Sequence, residues 1–333
     1  MLSVAQHELE SRPVTDTSGI SALCKAAGDP LRMHILKVLQ QNAYGVLELC
    51  AVFDMRQSAM SHHLKILSSA SLVATRREGT SIFYRRSELH PNSDLQKLLD
   101  SLFQSIDLAA LDLVYTQRLA LINTERSAAS VAFFNQNADR FEQNQDLIAS
   151  WSDYGESIEE FLPKHASGRQ SALEIGPGYG HFLKALSNLF ADVTALDNSE
   201  EMLDQCKSRA IAQGLDNVAF LLGDTRKAVA LANKFDCVSL NMVLHHNPTP
   251  AEIINDCAAL LNTNGTLMIT DLCAHDQEWA KNSCGDIWLG FEPEEITRWA
   301  RAADLTEGNS LYLSQRNGLS LIHISEPTRH RSI

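Results

Sequence analysis

Gly176, Gly178 and Gly180 alternate directly after the strand-like run Ser171–Ile175 and just before a helical segment opening at His181. Alternate glycines let a backbone turn tightly and come close to a ligand. Asp197 ends the next strand-like run, 21 residues after Gly176, where an acidic side chain accepts hydrogen bonds from ribose hydroxyls. A second acid, Asp224, closes the run that starts at Asn217. These residue types at these spacings are the equipment of a nucleoside site. His245, His246 and His275 follow later strand-like runs, at positions that border the ligand crevice of an open parallel sheet. Each is a candidate general base and serves equally as a loop hydrogen-bonding group, so no catalytic residue is assigned.

A different chemistry lies nearer the start. Gln57, Ser58, Ser61 and His62 occupy the outer side of a predicted helix whose Met60, Leu64 and Leu67 face inward. Such side chains, on a helix that enters the major groove, reach base edges. Arg76, Arg77, Arg85 and Arg86 flank Glu78-Gly79-Thr80, a predicted hairpin suited to phosphates or the minor groove. His63 divides evenly between packing and contact.

The elements that position these groups follow from local signals. Asp29-Pro30 starts a helix, because Asp caps free N–H groups and Pro is tolerated in the first turn. Leu31, Ile35, Leu36 and Leu39 continue it at helical spacing, and Asn42–Gly45 breaks it. A short helix carrying Val46, Leu47, Leu49 and Phe53 then precedes the polar-faced one. Asn92-Ser93 caps a further helix whose Leu95, Leu98, Leu99, Leu102, Phe103 and Ile106 form one apolar stripe, for dimerisation or for an internal core. Residues 107–150 read as helical, without a Gly/Pro-rich linker, which implies stiff coupling between the flanking domains. In the second half, runs ending at Ile175, Asp197, Asp224, Leu240 and Asp271 alternate with helical segments, as a doubly wound parallel sheet requires.

At 333 residues the chain has room for about two domains, and its 44% hydrophobic and 21% charged content is ordinary for globular proteins. No apolar run approaches the ~18 residues of a membrane span, and the start lacks a secretion-signal pattern. Seven unclustered cysteines read as thiols of a reducing cytoplasm. The net charge of −13 is uneven: residues 20–90 hold nine Lys or Arg against five Asp or Glu, and the remainder 19 against 36. A basic segment on an acidic body fits one domain that meets nucleic acid and another that does not.

"DPLRMHILKVL", "SAMSHHLKIL" and "LVATRREGTSIFYR" together resemble the ArsR-type winged-helix repressors, over roughly residues 18–90. The resemblance implies a double-stranded DNA operator as partner, contacted by Gln57, Ser58, Ser61, His62, Arg76, Arg77 and Arg85. It also implies a homodimer paired through flanking helices. Arg56 departs from the small capping residue usual in that family. Many relatives sense metals through a Cys-x-Cys pair; here Cys50 stands alone, so no metal is expected.

The string Glu174-x-Gly176-x-Gly178-x-Gly180 resembles motif I of class I S-adenosylmethionine (SAM)-dependent methyltransferases, over roughly 130–318. His181 stands where a dinucleotide fold has Gly or Ala. The resemblance implies SAM or S-adenosylhomocysteine (SAH) as cofactor. The glycine loop would line the methionine part, with Glu174 near the ammonium, Asp197 on the ribose, and Asp224 with Thr225 near the adenine. "SVAFFNQNADRFEQ" (130–143) resembles the lid helix of small-molecule methyltransferases, with Phe133, Phe134 and Phe141 covering a ligand or packing. "WLGF" (288–291) lines an acceptor pocket or packs as core. Cys237, Cys273 and Cys284 match no arsenite-methyltransferase pattern.

The expected fold is an α+β winged helix-turn-helix (18–90), a helical dimerisation or linker region (91–129) and an α/β doubly wound, Rossmann-like methyltransferase domain (130–318). The expected function is a cytoplasmic repressor that senses SAM or SAH to control methionine and SAM metabolism. The alternative is an active SAM-dependent small-molecule methyltransferase that autoregulates its own operon. "LIHISEPTR" resembles translated sequencing-adapter read-through, so residues 319–333 are read as a non-native tail without function. The other reading of Leu319–Ser325 is a last strand of the sheet.

Overall fold

The computed structural model describes residues 17–78, 81–87, 95–140, 148–306, 308–314 and 320–327. Gly79, Thr80, Asn92, Ser93, Phe141 and Gly318, all singled out in the sequence, lie outside the described residues. The chain divides into two compact units, Met1–Ala120 and Leu121–Ile333. The helix Leu113–Asn137 runs across that division.

In the first unit, helices Thr17–Ala27, Pro30–Val38, Val46–Phe53 and Gln57–Ser69 precede a small sheet. Asp29 caps the second of them by accepting the Arg32 N–H at 3.0 Å, with Pro30 in the first turn. Arg56, at the start of Gln57–Ser69, makes no side-chain cap hydrogen bond, so this helix begins without the capping contribution of about 1 kcal/mol. Ile35, Leu36, Leu49, Met60, Leu64 and Leu67 are fully buried and bind the helices into one core. Each contributes roughly 1.5–3 kcal/mol by leaving water.

The hairpin pairs β2 (Val73–Glu78) with β3 (Ser81–Arg86), and β1 (Tyr44–Gly45) adds to β3, giving the order β1-β3-β2. The segment that breaks the second helix is thus also a strand, anchored by the buried Tyr44. Along Gln96–Leu108, Leu99 and Ile106 are buried within the unit, while Leu98 and Leu108 are exposed.

The second unit is built on a seven-stranded sheet. Its strands are β4 (Ser171–Ile175), β5 (Asp192–Asp197), β6 (Val218–Leu222), β7 (Phe235–Asn241), β8 (Leu261–Leu272), β9 (Asn309–Ser314) and β10 (Ser320–Pro327). Their order is β6-β5-β4-β7-β8-β10-β9. The first five are parallel, and β10 is antiparallel to both β8 and β9. The strand order reverses beside β4, with β5 on one side and β7 on the other, and such a switch point opens a crevice at the carboxyl ends.

Strand β10 comes from the segment read as a non-native tail. Its ladder is made of backbone hydrogen bonds, so filling this slot requires β-compatibility and no particular side chains. Among the described residues no helix is long and apolar enough to cross a membrane.

Candidate functional site

A cavity of about 920 Å³, counting the solvent-open space at its mouth, lies at the carboxyl ends of β4, β5 and β7. Glu174, Gly176, Gly178, Asp197, Asn241 and His246 line it, with Phe134, Trp151, Tyr154 and Tyr179 as aromatic walls. Gly176 has φ +60°, and a Cβ there would stand 2.7 Å from Val243 Cγ2, so only glycine keeps this floor in place. Gly180 lies behind the wall, packed against Cys206 and Leu183.

Glu174 is buried and accepts hydrogen bonds from Ser239 Oγ at 2.6 Å and Asn241 Nδ2 at 2.9 Å. Burial nevertheless pushes its pKa up to about 7, outweighing those two bonds. Asp197 is pushed up to about 6 by burial, opposed by the Ser199 N–H that donates to it at 2.9 Å. Two carboxylates held against their charge on one wall favour a ligand that brings a positive charge and hydroxyl donors. The residues therefore fit a nucleoside carrying an ammonium group. Trp151 stacks on His181 with ring centroids 5.7 Å apart, which fixes one aromatic wall.

The opposite wall ends in a buried histidine pair. Asp271, at the end of β8, accepts the Leu244 N–H at 2.9 Å and the Leu272 N–H at 2.8 Å. His245 Nδ1–H donates to the same carboxylate at 2.7 Å. Asp286 Oδ1 lies 3.8 Å from His245 Nε2 and 3.6 Å from His246 Nδ1. Burial opposes charge on His245, but Asp271 and Asp286 together hold it above the ordinary histidine range. Burial, then the neighbouring His245, hold His246 well below that range, so the ring on the cavity wall is neutral. Phe134 meets it edge-on at 4.9 Å.

The first unit presents an exposed polar surface. Gln57, Ser58, Ser61 and His62 are all exposed on one side of their helix, opposite the buried Met60, Leu64 and Leu67. In the hairpin, Ala74 pairs with Arg85 and Arg76 with Phe83, which puts Arg76 and Arg85 on one face and Arg77 on the other. Arg86 is committed internally. It makes a two-pronged ion pair with Asp107, at 3.0 and 2.6 Å, and donates to Leu36 O at 2.7 Å.

Residues 29–75 match the family described as bacterial regulatory protein, arsR family, and residues 167–306 match the family described as methyltransferase domain. The chain joins an arsR-type segment to a methyltransferase domain. The methyltransferase domain is 28% identical over 146 residues to a ubiquinone biosynthesis O-methyltransferase of Coxiella burnetii, covering 40% of this chain and 62% of that protein. A protein of the same name from Methylococcus capsulatus is 26% identical over 161 residues, covering 44% of this chain and 68% of its own length. The chain thus spans about three-fifths of the Coxiella relative's length. Magnesium protoporphyrin IX methyltransferase from Synechocystis PCC 6803, solved with bound SAH, superposes with a TM-score of 0.51 at 16% identity. That match covers 61% of this chain and 100% of the other, and shows the shared methyltransferase fold.

Of the residues read from the sequence, the methyltransferase domain gathers Glu174, Gly176, Gly178, Asp197 and His246 around one cavity. Asp224 and Thr225 are not among its lining residues. Asp224 caps a helix through the Lys227 N–H at 2.9 Å and pairs with Arg226 at 2.9 Å. Thr225 is buried and donates to Asp256 at 2.5 Å. His275 also lies outside the lining, and its Nδ1 accepts the Gln277 N–H at 3.2 Å. Trp288, Leu289 and Phe291 of "WLGF" are core, and the Ile287 and Trp288 N–H groups donate to His245 O, propping the histidine loop. Phe134 lines the cavity, while Phe133 packs against Gly285.

Sequence reasoning missed Ser239, Asn241, Trp151, Asp271 and Asp286. Only Asp271, which closes a predicted strand, carried a signal.

Proposed function

We propose that this protein is a DNA-binding repressor whose methyltransferase domain binds SAM or SAH as an effector. The observation that carries the reading is one chain with an exposed polar helix of arsR type and a cavity built around two strained carboxylates. In this reading the ammonium of the ligand meets Glu174, the ribose hydroxyls meet Asp197, and the methionine part lies along the Gly176–Gly178 floor. A homodimer, paired through helices that include the exposed Leu98 and Leu108, sets two Gln57–Ser69 helices against a near-palindromic operator. Gln57, Ser58, Ser61 and His62 face the bases, and Arg76, Arg77 and Arg85 the phosphates. For the ligand to act as a signal, its affinity must differ between the DNA-competent and DNA-incompetent states.

The test is the affinity of the full chain for its own upstream DNA at fixed salt, titrated separately with SAM and SAH. A shift of tenfold or more, about 1.4 kcal/mol of coupling, is the expected result. No shift with either ligand, despite calorimetric proof of binding, overturns the effector role.

One observation favours a second reading, an active methyltransferase. His246 stands neutral on the cavity wall, the state a general base needs before it accepts a proton from an acceptor. The relatives' names point to an oxygen acceptor. Acceptor-dependent formation of SAH, lost in His246→Gln with SAM affinity retained, is the outcome this reading requires.

A further inference from the structure

His245, His246 and Asp286 come together without being neighbours in any sequence motif. One ligand atom from each, all buried, lies within 4.8 Å of the other two. The distances from Asp286 Oδ1, 3.8 Å to His245 Nε2 and 3.6 Å to His246 Nδ1, are close to the edge of a small coordination polyhedron. With bonds of about 2.0–2.2 Å, neighbouring ligands of a tetrahedral zinc stand about 3.4 Å apart. The two Asp286 distances close with a shift of a few tenths of an ångström, and the ligand nitrogens of His245 and His246, within 4.8 Å of each other, close by a rotation of the His246 ring.

The surroundings add a second observation. The Asp271 carboxylate at 2.7 Å holds a proton of His245 on Nδ1, so Nε2, 3.8 Å from Asp286, is the nitrogen at which a metal would take the place of a proton. A carboxylate behind the distal nitrogen of a histidine is how proteins fix a metal-binding imidazole and raise its basicity. Asp271 is itself fixed by the Leu244 and Leu272 N–H groups, so the arrangement is rigid. A competing contact is His246 Nδ1 to Gly285 O at 3.3 Å, longer than a strong N–H···O bond and readily exchanged for a metal bond.

We propose that His245, His246 and Asp286 form a binding site for one divalent transition-metal cation, with Asp271 orienting His245 behind it. Two imidazoles and one carboxylate suit zinc, and also iron(II) or manganese. Three protein ligands leave a coordination position for water or a ligand atom. His246 shares the wall of the cavity, so an ion here borders the space where a bound small molecule would lie. The thiol chemistry of the arsR-type segment plays no part: Cys50 is remote in sequence, and the site is in the methyltransferase domain.

The experiment uses the full-length chain, stripped with chelator, reloaded with zinc alone, and assayed by elemental analysis and competition with a chromophoric chelator. One zinc per chain is expected. His246→Gln and Asp286→Asn should each weaken binding at least 100-fold, and Asp271→Asn by about 10–100-fold. Cys24→Ser, at an exposed thiol, should change nothing. Failure of the wild-type chain to retain zinc at micromolar concentration would overturn the site. So would zinc that survives both His246→Gln and Asp286→Asn, or that disappears with Cys24→Ser. If those variants do not fold, cobalt(II) in the wild-type chain decides. A tetrahedral ligand-field band without thiolate charge transfer supports the site, and a thiolate band or an octahedral spectrum rejects it.

Discussion

The polar helix face of the arsR-type segment and the cavity of the methyltransferase domain use polar side chains in opposite ways. On the helix, Gln57, Ser58, Ser61 and His62 stand in water, and the fold's stability rests on the other side, on Met60, Leu64 and Leu67. In the cavity, Glu174 is buried and Asp197 is held at a raised pKa, so the fold carries an electrostatic cost until a ligand relieves it. An exposed recognition surface is electrostatically additive and sensitive to salt, whereas a buried one is prepared in advance and sensitive to pH. The contrast between Arg77 and Arg86 repeats the lesson on one hairpin. Arg77 is exposed, and Arg86 is locked onto Asp107.

The sharpest way to break this comparison is to remove the cavity carboxylates. Glu174→Gln and Asp197→Ala should each weaken SAM binding about 10–150-fold by calorimetry, since charge-assisted hydrogen bonds contribute about 1.5–3 kcal/mol each. DNA affinity without ligand should stay within about twofold. Loss of DNA binding in the same variants would mean that the two surfaces are one structural device.

Next in size is the pH effect. Glu174 has its folded pKa raised from 4.5 to about 7, so its ionisation weakens the empty fold as pH rises through that window. A cationic ligand reverses the sign by favouring the carboxylate. Affinity for SAM should therefore rise about tenfold per unit between pH 6 and 7, more steeply below 6 where Asp197 also ionises, and level off above 7. In Glu174→Gln the slope between pH 6 and 7 should vanish, leaving only the dependence that Asp197 adds below about 6, and a slope that persists between 6 and 7 would locate the titrating group elsewhere.

A smaller change is expected from Arg77→Ala. It should weaken operator and non-operator DNA alike by several-fold, and lower the slope of log affinity against log salt by about 1. Arg86→Ala should instead show up as lost stability, because it leaves Asp107 without its two-pronged partner. Equal salt slopes for the two variants would erase the distinction between them.

The smallest ligand effect should come from Asp224→Asn. The residue caps a helix and is not among those lining the cavity, so SAM affinity should fall less than about fivefold, with a stability change of about 1 kcal/mol or less. A loss of 100-fold would put Asp224 in the site beside Asp197.

Local rules carried far in this chain. Asp29-Pro30 capped its helix, the predicted hairpin is the paired strands β2 and β3, and the glycine string lies between β4 and the helix that follows. These depend on backbone preference and periodic apolar residues, which the sequence states directly. So do the outward side chains of Gln57–Ser69, because helical spacing alone separates them from Met60 and Leu64. The division of the hairpin arginines was not legible, since only packing brings Arg86 to Asp107 across 21 positions. The assignment of "WLGF" was equally open until its Trp288, Leu289 and Phe291 proved to be core beneath the histidine loop.

What the sequence by itself determined is the order of elements, the two folds they build, and the position of the glycine loop and of Asp197. Those follow from local periodicity and turn chemistry, in which neighbours along the chain are also neighbours in space. Only the tertiary structure decided which acids carry an unmet charge and which are capped, and that His245, His246, Asp271 and Asp286 form one cluster. Ser239 and Asn241 come to Glu174 from a strand 65 and 67 residues away, and Asp286 reaches the histidines from a separate loop. Desolvation and long-range hydrogen bonding depend on what the fold packs around a group, and no window of sequence contains that information.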